Sequence, residues 1–141
     1  MKDVEIALPW YQDMEVLHFT AGLDRKNPYD RAEVESMYKY LIGIGECYII
    51  EVLENGTWKG IGDVTLAKDT IPIVIGIKEY WGRGIGYQVI KRLIERAKEL
   101  DYPCLKTKEI YHFNENSKKL FASLGFRITE KTGSGVKMQL Y

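Results

Sequence analysis

The chain has 141 residues, 45% apolar and 28% charged, with 13 glycines, 4 prolines and zero net charge, which is one ordinary domain able to bury a single core. No run approaches the roughly 18 apolar residues of a membrane span, and MKDVEIALPW carries no charged-then-apolar export pattern. A nucleic-acid reader would be basic overall, so membrane, export and nucleic-acid roles are set aside.

The zero average hides an asymmetry. Residues 1–56 hold 11 Asp/Glu against 5 Lys/Arg, and residues 57–141 hold 9 against 15. A basic half suits an anionic cofactor and an acidic half suits a cationic acceptor; solvated faces of a mixed surface are the other reading. Cys47 and Cys104 lie in apolar runs, and His18 and His112 are far apart. No metal spacing results, and buried thiols in a reducing cytoplasm are expected.

In chain order, residues 3–12 read as a helix with Asp3 as N-cap and Pro9 as a stop or bend. Residues 20–28 (TAGLDRKNP) read as a loop. Asp30 and Glu33 have capping-box spacing and open a helix to about Ile42, with Val34, Met37, Tyr38 and Leu41 on its apolar face. Residues 47–53 (CYIIEVL) and 58–67 form a hairpin about Glu54-Asn55-Gly56-Thr57. Residues 70–77 (TIPIVIGI) fit a central strand buried on both faces, with Pro72 near its start or at a bulge.

A glycine loop, Gly82 to Gly86, then leads into an amphipathic helix over 85–100, apolar at Ile85, Val89, Ile90, Leu93, Ile94 and Ala97. Tyr102-Pro103 breaks it, and residues 104–111 read as a strand. A short helix over 115–124 stops at Gly125 as C-cap, and strands at 126–132 and 136–141 close the chain around Gly133-Ser134-Gly135. No repeat or linker interrupts the order, so residues 1–141 are read as one domain of α/β or α+β type on a mixed sheet.

A buried strand, then Trp81-Gly82-Arg83-Gly84-Ile85-Gly86-Tyr87, then a helix is a physical recipe for holding phosphate. Glycines let the backbone approach an anion, and the helix's free N–H groups and dipole supply counter-charge. Arg83 adds a cation. Glycines that merely permit tight packing are the competing reading. A Walker loop is absent, and a dinucleotide fingerprint fails for want of its third glycine and of further βα units.

The loop resembles the acetyl-CoA motif of the GNAT acetyltransferase superfamily, Gln/Arg-x-x-Gly-x-Gly/Ala. Asn114 followed eleven residues later by Gly125-Phe126 resembles the same family's second motif. The likeness covers most of the chain, strongly over 71–126. It implies a mostly antiparallel central sheet flanked by helices, and acetyl transfer from acetyl-CoA to a primary amine of a small cationic molecule or peptide. No metal, nucleic-acid or membrane partner is expected from the spacing, charge and hydropathy above, and a homodimer is left open.

By this resemblance, the backbone of Gly82, Arg83, Gly84, Ile85, Gly86 and Tyr87 would hold the pyrophosphate, and Ile75, Gly76 and Ile77 would pair with the pantetheine arm as an added strand. Asn114 and Ser117 would lie near the reactive end of the cofactor. A backbone N–H of the central strand would polarise the thioester carbonyl.

Three features depart from the family pattern. Trp81 replaces Gln/Arg, as in sequences that resemble the ribosomal-protein and aminoglycoside acetyltransferase branches. Phe121 stands where many members have a tyrosine that protonates the thiolate, leaving Ser117, a water, another tyrosine or no acid at all. The chain starts at its first helix where the family usually has a strand, so that edge is missing or differently built.

The amine must also lose a proton, and residues 70–77 carry no carboxylate. Asp63, inside an apolar strand, is the candidate base or else a hydrogen-bonded structural residue. Glu109, Tyr111 and His112 are fallbacks. Trp10, Tyr11 and His18 line an acceptor pocket or belong to the core. A non-catalytic acyl-CoA-binding module is the alternative function.

Overall fold

The computed structural model describes residues 2–20 and 27–141, the side chains of Lys2 and Thr20 excepted. The greater part of the loop expected at 20–28 lies outside the described residues. The chain divides into two compact units, Met1–Thr65 with Ile73–Arg83, and Leu66–Pro72 with Gly84–Tyr141.

The first unit opens with three helices, α1 (Lys2–Gln12), α2 (Met14–Thr20) and α3 (Arg31–Ile44). Val4, Ala7, Trp10 and Tyr11 of α1 recur at helical spacing and bury themselves against Val34, Tyr38 and Leu41 of α3. Pro9 neither ends nor sharply limits α1, which runs on to Gln12. Pro9 and Glu5 are both exposed, so the carbonyl left without its N–H partner faces water. The α3 capping box forms as expected: Glu33 N–H donates to Asp30 Oδ1 at 2.8 Å and Asp30 N–H to Glu33 Oε1 at 3.1 Å.

The strands β1 (Gly45–Glu54), β2 (Thr57–Ala67) and β3 (Ile73–Ile75) form a sheet in that order. Asn55 (φ 51°) and Gly56 (φ 78°) both take the left-handed backbone of a tight hairpin turn. Residues 61–67 of β2 are buried throughout. The central place expected for residues 70–77 therefore falls to β2, and β3 is a short, half-buried terminal strand. The cause is local. Ala67 N–H donates to the Thr70 carbonyl at 3.1 Å, which closes a turn, and Pro72 has no N–H for a ladder.

The second unit holds α4 (Ile85–Glu99), β4 (Leu105–Lys106), β5 (Ile110–Tyr111), α5 (Glu115–Ser123), β6 (Arg127–Lys131) and β7 (Gly135–Leu140). All pairings are antiparallel to β7: β4 along its Leu140 end, β5 along its Gly135 end and β6 on the other edge, since Gln139 opposes both Lys106 and Arg127. The single strand expected over 104–111 is thus interrupted. At the break, Met138 N–H donates to Thr107 Oγ1 and Thr107 N–H to the Met138 carbonyl, each at 2.9 Å. Ile90, Leu93 and Ala97 of α4 are buried, and Phe121 of α5 packs edge-on against Phe126 at 5.0 Å. Cys47 and Cys104 are free and half-buried rather than fully buried.

Candidate functional site

The register of β3 decides which backbone groups it offers. Gly62 opposes Ile75 and Asp63 opposes Val74. Gly76 N–H donates to the Ile61 carbonyl at 2.7 Å. Antiparallel pairing alternates, so Val74 and Gly76 direct their N–H and C=O groups at β2, while Ile73 and Ile75 direct theirs to the outer edge. Ile77 is extended (φ −120°, ψ 112°) and continues the outward set. Gly76, expected to pair with a docked chain, is committed inward. Its glycine has a different cause, because a Cβ there would overlap the Trp10 indole.

Beyond Ile77 the chain makes a 3-10 turn at Lys78–Tyr80 and reaches the glycine loop. Gly82 (φ 75°) and Gly84 (φ 77°) both hold left-handed backbone, open on the side a Cβ would occupy. Gly84 is the N-cap of α4 and no side chain caps that end. The first helical bond is Gln88 N–H to the Gly84 carbonyl at 3.2 Å, so the N–H groups of Ile85, Gly86 and Tyr87 precede the helical ladder. No acidic residue occupies the first turn. Gly82, Arg83 and Gly84 are exposed, and the Arg83 guanidinium lies 5.2 Å over the Tyr80 ring. The stack places the cation beside the loop, where a guanidinium can meet an anion. Gly86 is glycine for another reason too: a Cβ there would stand 3.2 Å from Leu120 of α5.

Asn114 caps α5, its Oδ1 accepting the Ser117 N–H at 3.2 Å. Asn114 and Ser117, both half-buried, therefore share the first turn of that helix. Phe121 is 3% exposed and sits inside the second unit.

Asp63 is 3% exposed, and its Oδ2 accepts the hydroxyls of Tyr11 at 2.6 Å and Tyr38 at 2.7 Å. Burial first, and the neighbouring carboxylate second, push both tyrosines above their ordinary pKa, so both stay donors at neutral pH. Trp10 and Tyr11, expected in a pocket or the core, are core. His18 meets Phe19 edge-on at 5.1 Å. Glu109 Oε2 accepts the hydroxyls of Thr132 and Ser134, Tyr111 stacks on Phe113 at 5.6 Å, and the backbone N–H of the exposed His112 donates to the Ser134 carbonyl. Glu109 also lines a polar groove of about 670 Å³ with Thr107, Lys108 and Lys137. The described residues contain no group of three or more His, Cys, Asp or Glu able to hold a metal, and no helix long and apolar enough to cross a membrane.

Sequence reasoning missed two features. The Trp81 indole N–H donates to the Ile75 carbonyl at 2.8 Å. Lys78 pairs with Glu15 at 3.2 Å and Asp13 at 3.8 Å. A Trp or Lys in a loop carries no periodic signal that would reveal either partner.

Residues 2–127 match the family model described as an acetyltransferase (GNAT) domain. Comparison with curated sequences gives no significant match. Among solved structures, a domain from Methanocaldococcus jannaschii superposes with a TM-score of 0.84 at 26% identity, covering 99% of this chain and 92% of that one. A spermidine N-acetyltransferase from Vibrio cholerae, in complex with CoA and spermine, gives 0.77 at 15% identity, with 99% and 89% covered. The aminoglycoside acetyltransferase AAC(6')-Ib, in complex with coenzyme A, gives 0.76 at 13% identity, with 99% and 89% covered.

Proposed function

The chain belongs to the acetyltransferase (GNAT) family, and from that premise we propose that residues 1–141 act as one domain transferring acetyl from acetyl-CoA to a primary amine of a small cationic molecule or peptide. The observation that carries the reading is the start of α4: an uncapped helix end, preceded by two left-handed glycines in an exposed loop. A pyrophosphate would meet the N–H groups of Ile85, Gly86 and Tyr87 there, with Gly82 and Gly84 giving close approach and Arg83 a counter-charge. The outward N–H groups of Ile75 and Ile77 suit the carbonyls of a pantetheine chain laid along the strand.

In the reaction the neutral amine attacks the thioester carbon. The oxygen gains negative charge, which an outward N–H of the strand would stabilise, and the C–S bond then breaks to release CoA as thiolate. Asp63 is the proposed destination of the amine proton, reached directly or through water. Ser117 is the proposed donor to the thiolate, since Phe121 has no proton to give. The acidic balance of residues 1–56 and the spermine complex of the Vibrio cholerae relative support a cationic acceptor.

The test is thiol release from acetyl-CoA across aminoglycosides, polyamines and peptides with free N-termini. A rate that depends on one amine class supports the proposal and names the acceptor. In that assay Ser117→Ala and Asp63→Asn should lower kcat more than they raise KM; a folded Asp63→Asn with unchanged kcat would remove Asp63 from catalysis. CoA binding without any amine-dependent rate would replace the enzyme with an acyl-CoA-binding module.

A further inference from the structure

The outer edge of β3 is not an even row of donors and acceptors. The Ile75 carbonyl is taken by the Trp81 indole at 2.8 Å, and the Ile77 carbonyl by Tyr80 N–H at 3.0 Å. Over residues 75–77 both outward carbonyls are thus engaged from within the chain. The outward N–H groups of Ile75 and Ile77 have no such partner within the described residues. An edge so arranged favours an incoming carbonyl oxygen over an incoming N–H.

Trp81 also grips the strand mechanically. The carbonyl it holds and the Gly76 N–H belong to one peptide plane, and that N–H is bound to Ile61 on β2 at 2.7 Å. The plane is held at both ends, and hydrogen bonds in such a chain reinforce one another. The indole itself is braced edge-on by Phe19 of α2 at 5.6 Å. Trp81 immediately precedes the glycine loop in the chain.

We propose that Trp81 is a positioning residue that makes the β3 edge a carbonyl-accepting surface and so aligns the thioester for attack. The proposal rests on the acetyl-CoA reading above. Its reach is over the reacting carbonyl rather than over phosphate affinity, because the indole N–H points at Ile75 and not toward the loop's own N–H groups.

Trp81→Phe removes the N–H and keeps an aromatic ring for Phe19; Trp81→Gln keeps a side-chain N–H. Isotope-edited infrared spectroscopy of acetyl-CoA carrying a carbonyl ¹³C, bound to each folded protein, reads carbonyl polarisation without needing an acceptor. The wild-type protein should lower the carbonyl stretching frequency relative to free acetyl-CoA. Trp81→Phe should lose much of that shift and lower kcat about fivefold, the loss of one ordinary hydrogen bond, with CoA affinity within about twofold. Trp81→Gln should recover part of both. A Trp81→Phe protein with wild-type frequency and kcat would overturn the role of Trp81 alone, as would a loss of CoA affinity as large as the loss of kcat. A wild-type protein that does not bind CoA would instead sink the acetyl-CoA reading itself.

Discussion

Two hydroxyls converge on one carboxylate oxygen in the first unit, and that convergence has a signature in pH. Tyr11 and Tyr38 keep their protons above their ordinary value near 10 because burial and Asp63 both oppose a phenolate. Their contribution is complete below about pH 10. Above it the unfolded chain loses tyrosine protons that the fold retains, so stability falls as pH rises. Tyr11→Phe should cost about 2 kcal/mol at neutral pH, as a hydrogen bond to a charged group is lost, and should flatten the decline above pH 10 in denaturant titrations. An unchanged alkaline slope would mean that the cluster does not govern it. The glycines separate in the same way. Gly84→Val forces a branched side chain into left-handed backbone at an exposed cap, with nothing nearby to strike. It should abolish CoA binding with the rest of the fold retained, whereas Gly86→Val also presses on Leu120 and cannot isolate the loop.

At the level of elements, helix ends show how local rules fare. Gly125 (φ 95°) ends α5 as expected, with Phe126 N–H to the Phe121 carbonyl at 3.0 Å. The end of α4 uses the same device with Tyr102 N–H to the Ala97 carbonyl at 3.0 Å, but Asp101 holds the left-handed position (φ 58°). Asp101→Gly should therefore stabilise the protein by up to about 1 kcal/mol, visible as a higher Tm. A lower Tm would show that the aspartate contributes more than its backbone strain costs. The helix α2 escaped the sequence reading because seven residues are too few for a period. Its one signal was Asp13, whose Oδ1 accepts the Glu15 N–H at 2.9 Å.

For the whole molecule, ligand linkage tests the cofactor reading independently of turnover. CoA at a hundred times its Kd should stabilise the wild-type protein by about 2.7 kcal/mol and raise Tm, while Gly84→Val should show no shift. The residues themselves determined the capping box at Asp30 and Glu33, the Asn55-Gly56 hairpin, the amphipathic α4, the Gly125 stop and the two motifs that led to the family, because each depends on spacing within a few residues. The shortening of β3, the split between β4 and β5, the tyrosine pair on Asp63 and the Trp81 bond to Ile75 were decided only by the tertiary structure. Each joins groups separated along the chain or depends on which strand finds a neighbour, and such partners are chosen when the chain packs, by burial and by backbone groups that must be satisfied.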